Sequence, residues 1–257
     1  MLILACDTTN HACSVCLSED KRVIAESYLM LGLTHSQTFM PMLHELMKRS
    51  GYAYKDLDAF ACTVGPGSFT GIRIGVSACK VMAMVAKKPA IPVSSLCALA
   101  YPLFSHKDTI IAPMIDARNE RVFSAAYYNG IEVIKEAART IDEFVMICDG
   151  WRDLHAQDSR ILTCGNAGHM YGTADVKIHR EDVLPRTDCA EIRAQFVAAI
   201  ACETAEHSLL FEQTSLTATT STPPLFDSFP PRDLTPCYLA KTSAERALEK
   251  KKDEKNA

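Results

Sequence analysis

Residues 2–24, LILACDTTNHACSVCLSEDKRVI, decide the fold because their pattern returns at residues 110–134, IIAPMIDARNERVFSAAYYNGIEVI. Each stretch reads as apolar strand, aspartate, polar turn, alternating strand, polar turn, strand. From Asp7 to Ile24 is 17 positions, and from Asp116 to Ile134 is 18. Two such units at the head of two halves predict a duplication, two domains of like topology.

Working outward, Thr34 and Gln37 have the spacing of a capping box, which starts a helix running to about Ser50 and bent at Pro41. LDAFACTVG reads as a strand, Ser68 as the N-cap of a helix to about Val85, AIPVS as a short strand and Leu96–Ser105 as a helix. The second half follows its three strands with a helix around Ile141–Ile147, the strand RILTCG and a long helix from about Cys189 to Glu206. This alternation predicts α/β domains, each a mixed sheet flanked by helices. The expected boundaries are 1–107 and 108–207. Residues 208–257 form a Thr/Pro-rich connection and a C-terminal helix or tail that returns to the first domain.

A chain of 257 residues, 48% hydrophobic and 23% charged, can bury one large or two smaller cores. A formal charge of -4 gives no footprint for independent nucleic-acid binding, so contact with RNA is expected only together with a partner. The N-terminus lacks the features of a secretory signal, and the eleven cysteines read as reduced cytoplasmic thiols. Cys13 and Cys16 make a lone CxxC on a strand-like segment with no second pair at zinc spacing, which favours core filler over a metal or redox site. The apolar stretches are broken by charges short of a membrane span.

The stretch that asks most of the backbone is TVGPGSFTGIRIG, residues 63–75. Gly65 and Gly67 flank Pro66 directly after a strand, and the next helix carries Gly71 and Gly75, although glycine inside a helix costs about 0.5–1 kcal/mol relative to alanine. An aspartate after a first strand (Asp7, with Thr8), its repeat (Asp116), and a glycine turn at a helix N-terminus (Gly65, Gly67, Ser68) are the parts of sites that hold phosphate between two domains, read here as a vestigial loop whose Gly65 and Gly67 serve backbone geometry and packing. No Gly-Lys-Ser/Thr follows, so this is not a Walker A loop, and Ser68 is not centred as in a GxSxG elbow.

DTTNHACSVCL, THSQTFMPMLHELM, TVGPGSFTGIRIGVSACK, IDARNERVFSAAY and the closing PCYLA resemble the TsaB (YeaZ) family, with matches spread from residue 3 to 240. The resemblance implies the actin, sugar-kinase and heat-shock-70 (ASKHA) fold. It also implies the role of noncatalytic partner to TsaD, in transferring threonylcarbamoyl from threonylcarbamoyl-AMP to N6 of the adenosine beside the anticodon in tRNA. TsaD as heterodimer partner, TsaE in the complex, a homodimer as the other pairing, and tRNA reached through the complex are what it implies for partners. Ala240 stands where many relatives have arginine, and residues 213–235 look like an insertion.

Two other readings compete. A self-sufficient ATP-binding transferase of the same fold would hold metal through an HxxxH pair, but the first-half helix offers only His35 and His44. Nine residues at about 100° each set these on opposite sides of the helix. DARNER places Arg118, Asn119, Glu120 and Arg121 where a second phosphate loop needs glycine. No cofactor or metal is therefore expected, and ATP or ADP binding should be weak or absent. A peptidase would draw on Ser68, His35 and Asp7, residue types that caps and turns use more often.

On the helix from Ser68, Arg73, Lys80 and Lys87 fall seven apart as one polar stripe, and apolar residues cover most of the rest. Gly71, Gly75 and Ala78 would let a neighbouring helix approach closely. The family pairs through this helix and the preceding one, so the expected partner surface is Phe39, Met40, Leu43, Leu46, Met47, Gly71, Ile72, Gly75, Val76, Cys79, Met82 and Ala83. The alternative is that these are core residues of one domain.

Overall fold

The structure is a computed structural model that describes residues 1–32, 34–173, 183–214 and 228–239. Strand β1 (Leu2–Asp7) is buried along its whole length, as a continuous apolar run in the middle of a sheet should be. It pairs antiparallel with β2 (Cys13–Glu19), which pairs antiparallel with β3 (Arg22–Leu29). On its other side β1 runs parallel to β4 (Ala59–Gly65), and β4 parallel to β5 (Ala90–Ser94), giving the order β3-β2-β1-β4-β5.

The second sheet repeats this plan. β6 (Thr109–Arg118), β7 (Arg121–Tyr128) and β8 (Ile131–Thr140) form the antiparallel trio, and β9 (Arg160–Cys164) and β10 (Val183–Pro185) add in parallel, in the order β8-β7-β6-β9-β10. The rhyme heard in the sequence is thus a duplicated α/β fold.

Helices α1 (His35–Ser50) and α2 (Phe69–Ala86) cover one face of the first sheet. Side-chain alternation along β1 sends Leu2, Leu4 and Cys6 into their shared core and Ile3 and Ala5 to the opposite face. That opposite face meets α3 (Ser95–Ala100) and α5 (Ala194–Thr214) in a core that also contains Ile111, Ile115, Ala125 and Leu162 of the second sheet. The buried face of α5 includes Ala194, Ala198, Ala201 and Ala205, small enough for its backbone to lie close to β1 and β2. α4 (Ile141–His155) closes the outer face of the second sheet through Phe144, Val145 and Cys148.

Several sequence expectations shift. Thr34 is the N-cap of α1, but its side chain makes no capping bond, so the box with Gln37 is not formed. α4 runs on to His155 because Cys148 and Arg152 continue its buried face, and its true capping box is Thr140 with Glu143. α5 begins at Ala194, after a 3₁₀ turn at Thr187–Cys189, and extends to Thr214. Helix α2, despite Arg73 and Lys80, is apolar enough by length and composition to cross a membrane, which corrects the expectation that charges break every such stretch. Here one of its faces is packed on the sheet. Residues 228–239 lie against the first half: Ala90 N–H donates to Phe229 O at 3.0 Å, Cys237 N–H to Val64 O at 2.7 Å, and Leu234 joins the core under α2. Ala240, the terminal helix or tail beyond it, and residues 215–227 of the suggested insertion lie outside the described residues.

The glycines of α2 do not receive another helix. A Cβ on Gly71 would stand 1.9 Å from Thr8 O, and one on Gly75 would stand 2.5 Å from Thr8 Oγ1. The turn after β1 therefore sits directly on α2, where the Thr8 backbone blocks an added methyl at Gly71 and the Thr8 side chain crowds one at Gly75. Gly71→Ala is expected to destabilise the fold by about 1–3 kcal/mol or more, the range for overpacking a core, read as a lower urea midpoint. An unchanged midpoint would contradict this packing.

Candidate functional site

Asp7 ends β1 fully buried among hydroxyls. Its Oδ1 accepts from Thr9 N at 3.2 Å, Thr9 Oγ1 at 2.6 Å and Thr63 Oγ1 at 2.5 Å. Ser95 Oγ lies 3.0 Å from Thr9 Oγ1 and, since that hydroxyl already donates to Asp7, Ser95 is the donor. Oδ2 has no partner. Burial pushes the Asp7 carboxyl up to about 6, against the pull of its three hydrogen bonds.

The glycine turn closes over this aspartate. Ser68 caps α2 by accepting from Gly71 N at 3.2 Å, while its own N–H donates to Thr9 O at 2.7 Å. Thr8 Oγ1 donates to Gly71 O at 2.7 Å. A Cβ on Gly67 would meet Thr9 O at 2.4 Å, and one on Gly65, whose φ is +115°, would meet Cys237 O at 2.5 Å. The close approach that these glycines allow is taken by the chain's own backbone, Thr8 and Thr9 on one side and Cys237 on the other.

Of the six residues read as phosphate-loop parts, Asp7, Thr8, Gly65, Gly67 and Ser68 are brought together, and Asp116 is not among them. Asp116 is exposed near the end of β6, its N–H donating to Asn166 Oδ1 at 2.9 Å and its Oδ1 accepting from Arg118 N at 2.7 Å. The following Arg118, Asn119 and Glu120 all have positive φ and turn the chain into β7. Thr63 and Ser95, which complete the Asp7 network, carried no sequence signal beyond their polarity, because only the folded chain brings β4 and α3 beside Asp7.

The competing chemistries do not assemble. His35 Nε2 is hydrogen bonded to Asn10 O at 2.7 Å, and His44 is exposed on the far side of α1. Ser68, His35 and Asp7 each bond elsewhere and not to one another, so they form no relay. Cys13 points into the core beneath α1 and Cys16 into the core between the sheets, so the CxxC sulfurs face opposite sides of the sheet.

The expected partner surface needs correction. Phe39, Leu43, Leu46, Met47, Gly71, Ile72, Gly75, Val76, Cys79 and Ala83 are buried within this chain, and Met82 is half-buried; of the twelve only Met40 is exposed. Helical periodicity marks a buried face and an exposed apolar face alike, and here the core took these residues. What α2 turns outward is Val81 at 59% exposure, Met84 at 55% and Val85 at 81%, with half-buried Ile74 beside them.

Two copies of a five-stranded mixed sheet, with helices outside and between, define a duplicated α/β class of protein. A protein of Bacillus subtilis named tRNA threonylcarbamoyladenosine biosynthesis protein TsaB is 34% identical over 187 residues, spanning 72% of this chain and 77% of that protein. Its Escherichia coli namesake is 34% identical over 185 residues, 64% of this chain and 80% of that one. The chain belongs to the TsaB family. A crystal structure from Pseudomonas aeruginosa, described as similar to the peptidase YeaZ, shares the fold with a TM-score of 0.68 at 22% identity, covering 93% of this chain and 99% of that one. A family model described as TsaD, tRNA N6-adenosine threonylcarbamoyltransferase, matches residues 32–158.

The raised Asp7 carboxyl makes stability depend on pH. The folded chain holds this proton more tightly than the unfolded chain, so its contribution is intact at low pH and is lost as pH climbs from about 4 through about 6. Asp7→Asn keeps a neutral group throughout. From pH 4.5 to 7.5 the stability of the variant relative to wild type should rise by about 2 kcal/mol, since each tenfold difference in proton affinity is worth about 1.4 kcal/mol. Urea melts at the two pH values measure it.

Proposed function

We propose that this chain is the noncatalytic subunit that docks a TsaD protein and supports transfer of threonylcarbamoyl to tRNA. The observation that carries this reading is the outward apolar face of α2, Ile74, Val81, Met84 and Val85, continued by Met40 on α1. A contiguous exposed apolar face of that kind indicates a partner. The TsaD model match spans both α1 and α2, so the proposed partner carries a related pair of helices. Two related faces can pack as the halves of a near-symmetric interface, and a homodimer through the same face is the competing pairing.

The noncatalytic part of the reading rests on the closed glycine turn. Thr9 O stands where a phosphate oxygen would approach Gly67, and the hairpin at Arg118–Glu120 puts bulky residues where a second phosphate loop would be needed. ATP and ADP binding should therefore be weak or absent. The eleven cysteines are free thiols, which suits a reducing cytoplasm, and TsaE belongs to the proposed assembly.

Because Val81 and Val85 are exposed, glutamate there leaves the fold intact, unlike Val76→Glu or Leu43→Glu, which would bury a charge at positions 3% and 1% exposed. Val85→Glu and Val81→Glu should each keep the wild-type melting temperature and weaken TsaD binding at least tenfold in calorimetric titration. Binding at wild-type affinity would remove the α2 face from the interface. The isolated chain should neither form threonylcarbamoyladenosine nor hydrolyse ATP, and adding TsaD, TsaE and threonylcarbamoyl-AMP should yield product that depends on this chain. Turnover by the chain alone, lost in Asp7→Asn, would refute the noncatalytic reading.

A further inference from the structure

At the first turn of α2 an aromatic pair stands open to solvent. Phe69 is 38% exposed and Tyr238 42% exposed, with ring centroids 5.1 Å apart. The Arg73 guanidinium lies 3.8 Å from the Phe69 centroid, and its Nε donates to Tyr238 Oη at 3.0 Å. The Cys237 N–H to Val64 O bond pins the segment that presents Tyr238. Both rings and the cation are thus held in place from two separate parts of the chain.

Cations line this platform, and Asp233 Oδ1 lies 3.7 Å from Arg232 Nε among them. Lys80 and Lys87 continue the row from Arg73 at seven-residue steps, about 10 Å apart along the helix. Lys80 Nζ is tied to Arg232 O at 2.6 Å, which brings the exposed Arg232 alongside. Between Asp58 and Asp108 the sequence has no Asp or Glu, although the chain has 31 acidic residues and a net charge of -4. The row lies on the edge of α2 next to residues 231–233, flanking the apolar face of Val81 and Val85 rather than crossing it.

Exposed aromatic rings beside a row of cations match the chemistry of a single-stranded nucleic acid: bases stack on the rings and phosphates follow the cations. We propose that Phe69, Tyr238 and Arg73 form a stacking platform for an unpaired base of the RNA substrate, with Lys87 and Arg232 on its backbone. This rests on the reading of the chain as a subunit acting on tRNA, and assigns it a direct contact within that complex. A protein partner could also use Tyr and Arg, but the succession of Arg73, Lys80, Lys87 and Arg232 along one edge favours a polyanion.

The test is tRNA binding by the complex with TsaD, across a salt series, for wild type, Phe69→Ala, Tyr238→Ala, Phe69→Tyr and Lys87→Gln. The two alanine variants should bind RNA about 5- to 100-fold more weakly, with TsaD affinity and melting temperature unchanged, and Phe69→Tyr should restore binding. Lys87→Gln should lower the salt slope by about one. Unchanged RNA affinity in the alanine variants and an unchanged slope in Lys87→Gln overturn the platform. Loss of TsaD affinity in the alanine variants also overturns it, by making it a protein contact. If wild type fails to join TsaD, the function proposed above falls instead. The platform is then judged by the same variants on the isolated chain at low salt, where no RNA binding, or binding the variants do not alter, overturns it.

Discussion

The contact on which the first half depends is the turn at Thr8 and Thr9 seated on α2 and the loop before it, backbone against backbone at Gly67 and Gly71 and through the Thr8 side chain at Gly75. No side chain could occupy these positions without displacing it. The seat fixes α2 against β1 and β4, and Ser68 N–H to Thr9 O together with Thr8 Oγ1 to Gly71 O hold it in register. It also carries Thr9 to Asp7, so the buried carboxylate network is a product of the same contact. The glycines that look like provision for a ligand satisfy the chain itself, and their conformational cost is offset by packing and by hydrogen bonds that would otherwise face a void.

The duplication and most of its elements were legible because strand patterning is local. Asp7 and Asp116 mark corresponding strands, β1 and β6, and the strand orders agree. The interior helices were harder to place. Nothing in the sequence of α5 says that its alanines lie against β1 and β2 of the other half, since exchange across a shared core is decided by shape rather than by period. The site was legible only in part. Asp7, Thr8, Gly67 and Ser68 cluster as their motif implies, but Thr63 and Ser95 join through tertiary contact, and Asp116 keeps its own partners. The partner surface misled for a definite reason. Leu43 and Val85 are equally apolar on paper, and only burial separates a core residue from a docking residue.

Three surfaces share the circumference of α2. One side, with Ile72, Val76, Cys79 and Ala83, is core; the outward side is the apolar face at Val81 and Val85; the edge beside residues 231–233 carries Arg73, Lys80 and Lys87. A helix so divided needs an anchor that resists rotation, because a rotation of about half a turn would exchange the core for the outward apolar face. The glycine seat supplies it. Thr8 fits only against Gly71 and Gly75, which lie on the core side, and any other rotation would drive a side chain into the Thr8 backbone.

The same constraint explains why the C-terminal segment belongs to the site though it is remote in sequence. Gly65 leaves room for Cys237 O, Val64 O accepts Cys237 N–H, and Lys80 holds the Arg232 carbonyl, so residues 232–238 lie along the edge of α2 that the seat has oriented. Tyr238 can stand beside Phe69 only because the turn before α2 lacks a side chain at Gly65. The loop therefore positions surfaces instead of phosphate. Its glycines on one side lock the helix to the sheet, and on the other admit the segment that completes the helix's exposed edge, so the close approach that would serve a nucleotide is taken up by the chain's own packing.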